Sequence, residues 1–186
     1  MIDRNKYSVD DYELIPERLK WHHKGQRYMK ECGSTFFFGS NSFLSNHYSS
    51  MFMDGKTQYS CAEQYYLQQK SLYFDDTDTA NAIMGLTEPS KMKALSYRIK
   101  NLDENRWSEQ ARAVMENACY LKFWQNPELK EKLLSTEGKI VEANRNDVFF
   151  SCGLSLADPN ILDVNKWRGK NVLGDILTTL RERFRQ

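Results

Sequence analysis

A mostly helical α+β fold, a single domain with a few short strands grouped around one cleft, is what this sequence predicts. Three observations carry that expectation. The apolar positions Ala111, Val114, Met115, Ala118, Cys119 and Phe123 recur at helical spacing, and the C-terminal series Val172, Leu173, Ile176, Leu177, Leu180 and Phe184 does the same. The strand signals are few and short: an aromatic run at residues 34–38, a pair of runs flanking Asp54-Gly55, and the stretches 139–143 and 147–150. Finally, 186 residues with 40% hydrophobic, 13% aromatic and 27% charged side chains suit one soluble domain that buries its own core.

Residues 1–35 mix charge with scattered apolar anchors (Tyr7, Tyr12, Leu14, Ile15, Leu19, Trp21) and read as an N-terminal extension packing on a domain that occupies residues 36–186. No Gly/Ser/Pro-rich linker sets the extension apart. Its segment 18–30 places Arg18, Lys20, Lys24, Arg27 and Lys30 beside Trp21 and Tyr28, a pattern that can hold phosphates and stack on bases, or simply form a solvated face. A net charge of +1 gives no global affinity for nucleic acid.

From residue 39 the series Gly39-Ser40-Asn41-Ser42 and Ser45-Asn46 supplies turn chemistry, because short polar side chains bond their own backbone and Gly accepts positive φ. Asp54-Gly55 marks a hairpin. Ser60 suits a helix N-cap, with Glu63 completing a Ser-x-x-Glu capping box. That helix runs to about Tyr73 and carries Glu63, Tyr66 and Lys70 on one face. The acidic run at 75–78 breaks it and caps a short helix ending at Gly85. A further helix starts around Pro89, which tolerates a first-turn position, and extends to about Lys100. The long helix from Ser108 and one opened by Asn126-Pro127-Glu128 form a helical hairpin. In the last helix Gly174 costs about 1 kcal/mol relative to Ala, which implies close backbone approach to another helix or to a ligand.

No apolar run approaches 18 residues and the N-terminal stretch lacks a signal-peptide core, so no membrane association and a cytoplasmic or nuclear location are expected. Cys32, Cys61, Cys119 and Cys152 are scattered without a Cys-x-x-Cys pair, and His22, His23 and His47 form no ligand pattern. Neither a metal nor another cofactor is expected, and oligomeric state is not legible.

The ordered blocks of this chain resemble a known family. They are FFGSNSFLS at 37–45 with Asn46; Asp54-Gly55; Ala62-Glu63-Gln64-Tyr65-Tyr66; Gln69-Lys70; Trp107 and residues 112–115; Lys122-Phe123 with Asn126-Pro127-Glu128-Leu129; Leu133-Leu134; Val141-Glu142-Ala143; residues 147–153; and Trp167 with Gly169-Lys170-Asn171 and Leu173-Gly174. Collinear over residues 36–184, they are similar to the YbiA-like family, also called NADAR for NAD- and ADP-ribose-associated. The resemblance implies hydrolysis of an N-glycosidic bond in a phosphorylated ribosyl or ADP-ribosyl substrate, either a nucleotide-like small molecule such as a riboflavin-pathway intermediate or ADP-ribosylated guanine in nucleic acid.

Loss of a base from ribose passes through an oxocarbenium-like state, which calls for a carboxylate at the sugar and a proton donor at the leaving group. Within the resembling blocks Glu63 and Asp147 are the candidate acids, each with a structural alternative, a helix cap for Glu63 and a loop brace for Asp147. Trp107, grouped with them as a catalytic candidate, and Trp167 can stack on a base or sit in the core. Lys70 suits a phosphate or a ring-opened sugar aldehyde, or is an exposed helix lysine; Gly39, Ser45 and Asn46 suit pyrophosphate or ribose hydroxyls. Tyr66, Phe150 and Asn171 complete the expected binding set. The chain departs from the family at Phe150-Ser151, where a Trp-Gly pair is common, and at Gly39-Ser40, where some members carry a Lys; pocket shape and any lysine mechanism at that position therefore do not carry over. A non-catalytic ADP-ribose or NAD-binding module is the alternative, and a purely structural protein a third.

Overall fold

The computed structural model describes residues 33–186, together with the backbone of two strands that precede them. In chain order the elements are β1 (His22–His23), β2 (Gln26–Glu31), β3 (Ser34–Phe37), β4 (Phe52–Asp54), β5 (Thr57–Tyr59), α1 (Ala62–Tyr73), α2 (Thr77–Met84), α3 (Pro89–Ser96), α4 (Glu104–Gln125), α5 (Pro127–Leu134), β6 (Lys139–Glu142), a 3-10 turn (Val164–Lys166) and α6 (Val172–Arg185). This is the α+β, mostly helical fold expected. The chain divides into two compact units, one built from the part up to Ser45 with Ser135–Gln186, the other from Asn46–Leu134. Apart from the β1 and β2 backbones, the basic segment 18–30 lies outside the described residues.

The first unit is organised on a four-stranded sheet ordered β1-β2-β3-β6. β2 and β3 pair antiparallel, and β3 and β6 pair parallel with Phe36 opposite Val141. Thr35, Phe36 and Phe37 are all buried, as in a strand covered on both faces. Phe36, Val141, Ala143, Cys152, Leu154, Leu156 and Ile161 form the core, with Trp167 against its edge. The α6 helix packs on β6.

Asn171 joins these two elements. Its backbone is left-handed, φ 53°, and its side chain is fully buried. The amide accepts from Glu142 N–H at 3.0 Å and donates to Ile140 C=O at 2.9 Å, so it completes β6 as a neighbouring strand would. Gly174 does make a close backbone approach, but to strand β6 and not to another helix or a ligand: an added Cβ would lie 2.1 Å from Ile140 O and 2.4 Å from Asn171 Nδ2.

In the second unit β4 and β5 form the Asp54-Gly55 hairpin, with Gly55 at φ 57°. α1 contacts α2, α3 and α4, which explains why Glu63, Gln64, Tyr66 and Lys70 are buried on it along with apolar residues. Gln64 satisfies polar groups at two helix ends: its Oε1 accepts from Ser60 N–H at 2.8 Å, and its Nε2 donates to Ile83 O at 3.2 Å and Leu86 O at 3.1 Å.

Several expected details are corrected. Cys61, not Ser60, is the N-cap of α1 and no side chain caps it. Because Gln64 takes the Ser60 N–H, the Ser60/Glu63 capping box does not form. α3 ends at Ser96, four residues short of the expected Lys100. α4 starts at Glu104, earlier than Ser108, because the Asp103 carboxylate accepts from the Asn105 and Arg106 N–H groups. Residues 147–150 are an irregular loop, not a strand.

Filling the space at Gly174 forces a methyl onto a strand carbonyl. Gly174→Ala is expected to lower the unfolding free energy by roughly 1–3 kcal/mol in urea titration. Asn171→Ala leaves two buried β6 backbone groups without partners and is expected to cost about 2–4 kcal/mol. Unchanged midpoints for both would contradict this account.

Candidate functional site

Glu63 stands at the second position of α1, where the helix dipole favours a negative charge. Only 4% exposed, its carboxylate cannot rely on water and needs protein partners. Asn46 supplies them reciprocally: Asn46 Nδ2 donates to Glu63 Oε2, and Glu63 N–H donates to Asn46 O at 2.9 Å. His47 Nε2 lies 3.6 Å from Glu63 Oε1, with the imidazole 30% exposed. Two further bonds hold the segment 46–50, from Ser50 N–H to Ser60 O at 2.9 Å and from Ser50 Oγ to Tyr48 O at 3.2 Å.

Further along the same face Tyr66 Oη accepts from Trp107 Nε1 at 2.6 Å, and the two rings meet edge-on at 5.3 Å. Trp107 is buried, with Tyr73 against it at 5.7 Å. Lys70 Nζ reaches both oxygens of Glu104, at 2.9 and 3.1 Å, and stands 5.9 Å from the Trp107 ring. The exposed-lysine alternative for Lys70 therefore does not hold; the side chain is mostly buried and ion-paired. Glu63, Asn46, Tyr66, Lys70 and Trp107 thus all belong to the second unit, joined by α1 and the start of α4.

Two residues of this unit were not singled out from the sequence as site residues. His47 was weighed only as a metal ligand. Lys122 is 1% exposed, with Nζ 5.4 Å from the centre of the Tyr48 ring and 5.0 Å from that of Phe123. Burial pulls its amine down to about 8, opposed by the Cys119 and Cys61 thiols. A signal did exist: Lys122 continues the buried series Ala111, Met115, Ala118 on α4, a lysine on a core face.

The other expected residues lie in the first unit. Gly39 has φ 86° with open space where a Cβ would be, so conformation rather than crowding calls for glycine there. Ser42 N–H bonds Gly39 O and Ser45 N–H bonds Ser42 O, two turns in succession. Asp147 Oδ1 accepts from Phe149 N–H at 2.9 Å and Phe150 N–H at 2.8 Å, the brace geometry. Phe150 is half-buried against Phe149. Ser151, the second departing residue, is fully buried with Oγ 2.6 Å from Glu142 O. Trp167 Nε1 donates to Ile161 O at 2.8 Å, and Lys139 Nζ lies 5.2 Å from its ring centre. Both ends of the Asn171 amide are committed to β6. Among the described residues no group of three or more His, Cys, Asp or Glu side chains could hold a metal ion, and no helix is long and apolar enough to cross a membrane.

The fold is that of a solved bacterial protein: the NMR structure of the E. coli protein YbiA superposes with a TM-score of 0.68 at 26% identity, covering 92% of this chain and 94% of that one. The chain belongs to the NADAR family, whose domain model matches residues 35–185. It is 36% identical over 130 residues to N-glycosidase R617 of Acanthamoeba polyphaga mimivirus, covering 69% of this chain and 76% of that protein. It is 38% identical over 128 residues to Protein irg-1 of Caenorhabditis elegans; this match covers 67% of this chain but spans only 60% of the nematode protein.

The Lys122 amine makes a signed prediction. The unfolded chain keeps this proton up to about the ordinary 10.5, whereas the folded chain releases it near 8, so between those values the unfolded state binds more protons and stability rises with pH. Denaturant melts of the wild type and Lys122→Met at pH about 7.5 and about 9.5 are expected to show the difference moving in favour of the wild type at the higher pH. Equal differences at both pH values would contradict a depressed amine.

Proposed function

We propose that this chain is an N-glycoside hydrolase that releases a base from a phosphorylated ribosyl or ADP-ribosyl substrate, with Glu63 as the carboxylate at the sugar. The observation that carries the reading is the buried Glu63 carboxylate, held by Asn46 and faced by His47. The kinship with a protein named N-glycosidase supports the reaction class.

An ionised carboxylate with little water around it stabilises developing positive charge more strongly than a solvated one. Asn46 keeps one oxygen oriented, leaving Oε1 toward His47. His47 is partly exposed, so its ring can exchange protons with solvent; the protonated ring can hand a proton to the leaving base, and the neutral ring can take one from the attacking water. In this reading Lys70 contributes positive charge for a phosphate once Glu104 gives way, and Tyr66 and Trp107 form the apolar floor. Gly39, Ser45 and Phe150 remain proposed substrate contacts. Asp147 and Trp107 are kept as candidate catalytic residues, and Trp167 and Asn171 as binding ones, although bonding to neighbouring structure gives each a sufficient packing role.

A second reading, an ADP-ribose-binding module without turnover, is favoured by one observation. The Asp147 carboxylate braces its own loop, which weakens the case for a second catalytic acid. Incubation with an ADP-ribosylated guanine oligonucleotide and with phosphorylated ribosyl-base compounds, followed by chromatography for released base, separates the two. Repeated release of base supports the hydrolase; binding of ADP-ribose with no release at stoichiometric protein supports the module.

Since Gln64 serves the Ser60 N–H, Glu63→Gln removes no helix cap. This variant is expected to keep its fold and ligand binding and to lose on the order of 10²-fold or more in kcat. Retention of most of the turnover would sink the role given to Glu63 and leave Asp147 as the carboxylate to examine.

A further inference from the structure

We propose that Lys122 is a positioning residue for Glu63, acting through Tyr48, whose ring lies against the Lys122 ammonium and whose two preceding residues hold the Glu63 carboxylate. The proposal rests on the hydrolase reading for its kinetic consequences and on geometry alone for its structural one.

Lysine is rarely buried completely, because an ammonium loses its hydration there. Position 122 continues an apolar face of α4, where a hydrocarbon side chain of similar volume would fill the space without that loss. The charge at this position therefore has something to act on. The aromatic faces near it are Tyr48 at 5.4 Å and Phe123 at 5.0 Å. Phe123 is its neighbour on the same helix, whereas Tyr48 belongs to the segment 46–48 that touches Glu63. A desolvated cation over a ring draws that ring to a defined place. Fixing Tyr48 fixes the register of Asn46 and His47, and with it the orientation of the carboxylate.

Cys61 marks the same neighbourhood from the other side. Its thiol acts electrostatically on Lys122 and on Glu63, and it precedes α1 directly. Among the groups near Lys122 are Cys61 from the start of α1, Cys119 from its own helix and, by its ring, Tyr48 from the loop. Burial pushes the Cys61 thiol up, so it stays neutral around neutrality. Lys122 is 1% exposed. Its influence passes through Tyr48, and it fades as the amine loses its proton near pH 8.

The test compares wild type, Lys122→Met, Lys122→Arg and Tyr48→Leu, each checked for folding by circular dichroism. Two readouts are followed from about pH 6 to about pH 9.5. One is turnover of an ADP-ribosylated guanine oligonucleotide, and the other is the His47 ring resonance in protein with 13C-labelled histidine. Lys122→Met is expected to lower kcat by roughly 10–100-fold with KM nearly unchanged, to abolish the alkaline fall near pH 8 and to displace the His47 titration curve. Lys122→Arg restores rate and keeps it at alkaline pH. Tyr48→Leu reproduces the Lys122→Met behaviour, and the double variant is no worse than either single one. A folded Lys122→Met with the wild-type rate and His47 curve overturns the proposal. So does an alkaline fall shared by all variants. If Lys122→Met does not fold, Tyr48→Leu decides: a wild-type His47 curve in that variant overturns the proposal. Where the wild type itself releases no base, the hydrolase reading fails separately, and the His47 curves still decide the positioning role.

Discussion

Placing the Glu63 carboxylate in the protein interior constrains everything around the start of α1. A buried charge is tolerated only where fixed dipoles replace the water it has lost. Here the replacement comes from the N-terminal end of a helix, from the Asn46 amide and from the imidazole of His47. Because Asn46 also receives the Glu63 N–H on its carbonyl, loop and helix are tied twice through the same two residues. With Glu63 so engaged, another side chain must serve the Ser60 N–H. Gln64 does so, and its other end closes the last carbonyls around α2. One buried acid thus accounts for much of the polar architecture of the second unit.

The first unit is braced by side chains that bond the backbone. Asn171 plays the part of a strand beside β6, Ser151 bonds the backbone at Glu142, and Asp147 gathers two N–H groups of its own loop. Backbone bonds from Gly169 N–H to Cys152 O and from Val172 N–H to Phe149 O lace the loop to the start of α6. A Cβ at Gly169 would come within 2.2 Å of Ser151 O, so the two loops run at backbone contact distance. The Ser151 hydroxyl is part of this bracing. Loops held in this way can present side chains such as Phe150 in a constant position, which a binding site requires.

Local signals were legible where a short piece of chain decides its own geometry. Asp54-Gly55 made its hairpin, Asp76 capped α2, and Asn126-Pro127 opened α5. Local reasoning failed where another partner, distant or near, outbid the expected one. The Ser-x-x-Glu spacing at 60–63 favoured a capping box, but Asn46, 17 residues away, claimed the acid. Residues 147–150 carried the composition of a strand, but the Asp147 carboxylate took the Phe149 and Phe150 N–H groups that a sheet ladder would need.

By itself the sequence determined the helix periodicities, the turns, the family and the placing of Glu63, Tyr66 and Lys70 on one face of α1, because each depends on spacing along the chain. Only the tertiary structure decided which groups Glu63 faces, that Trp107 gives its indole N–H to Tyr66, that Lys70 meets Glu104, and that Lys122 is buried beneath Tyr48. The physical reason is that hydrogen bonds and desolvation are settled between groups far apart in the chain. A lysine on a core face can be read from its spacing, but the aromatic ring that it lies over is supplied by folding.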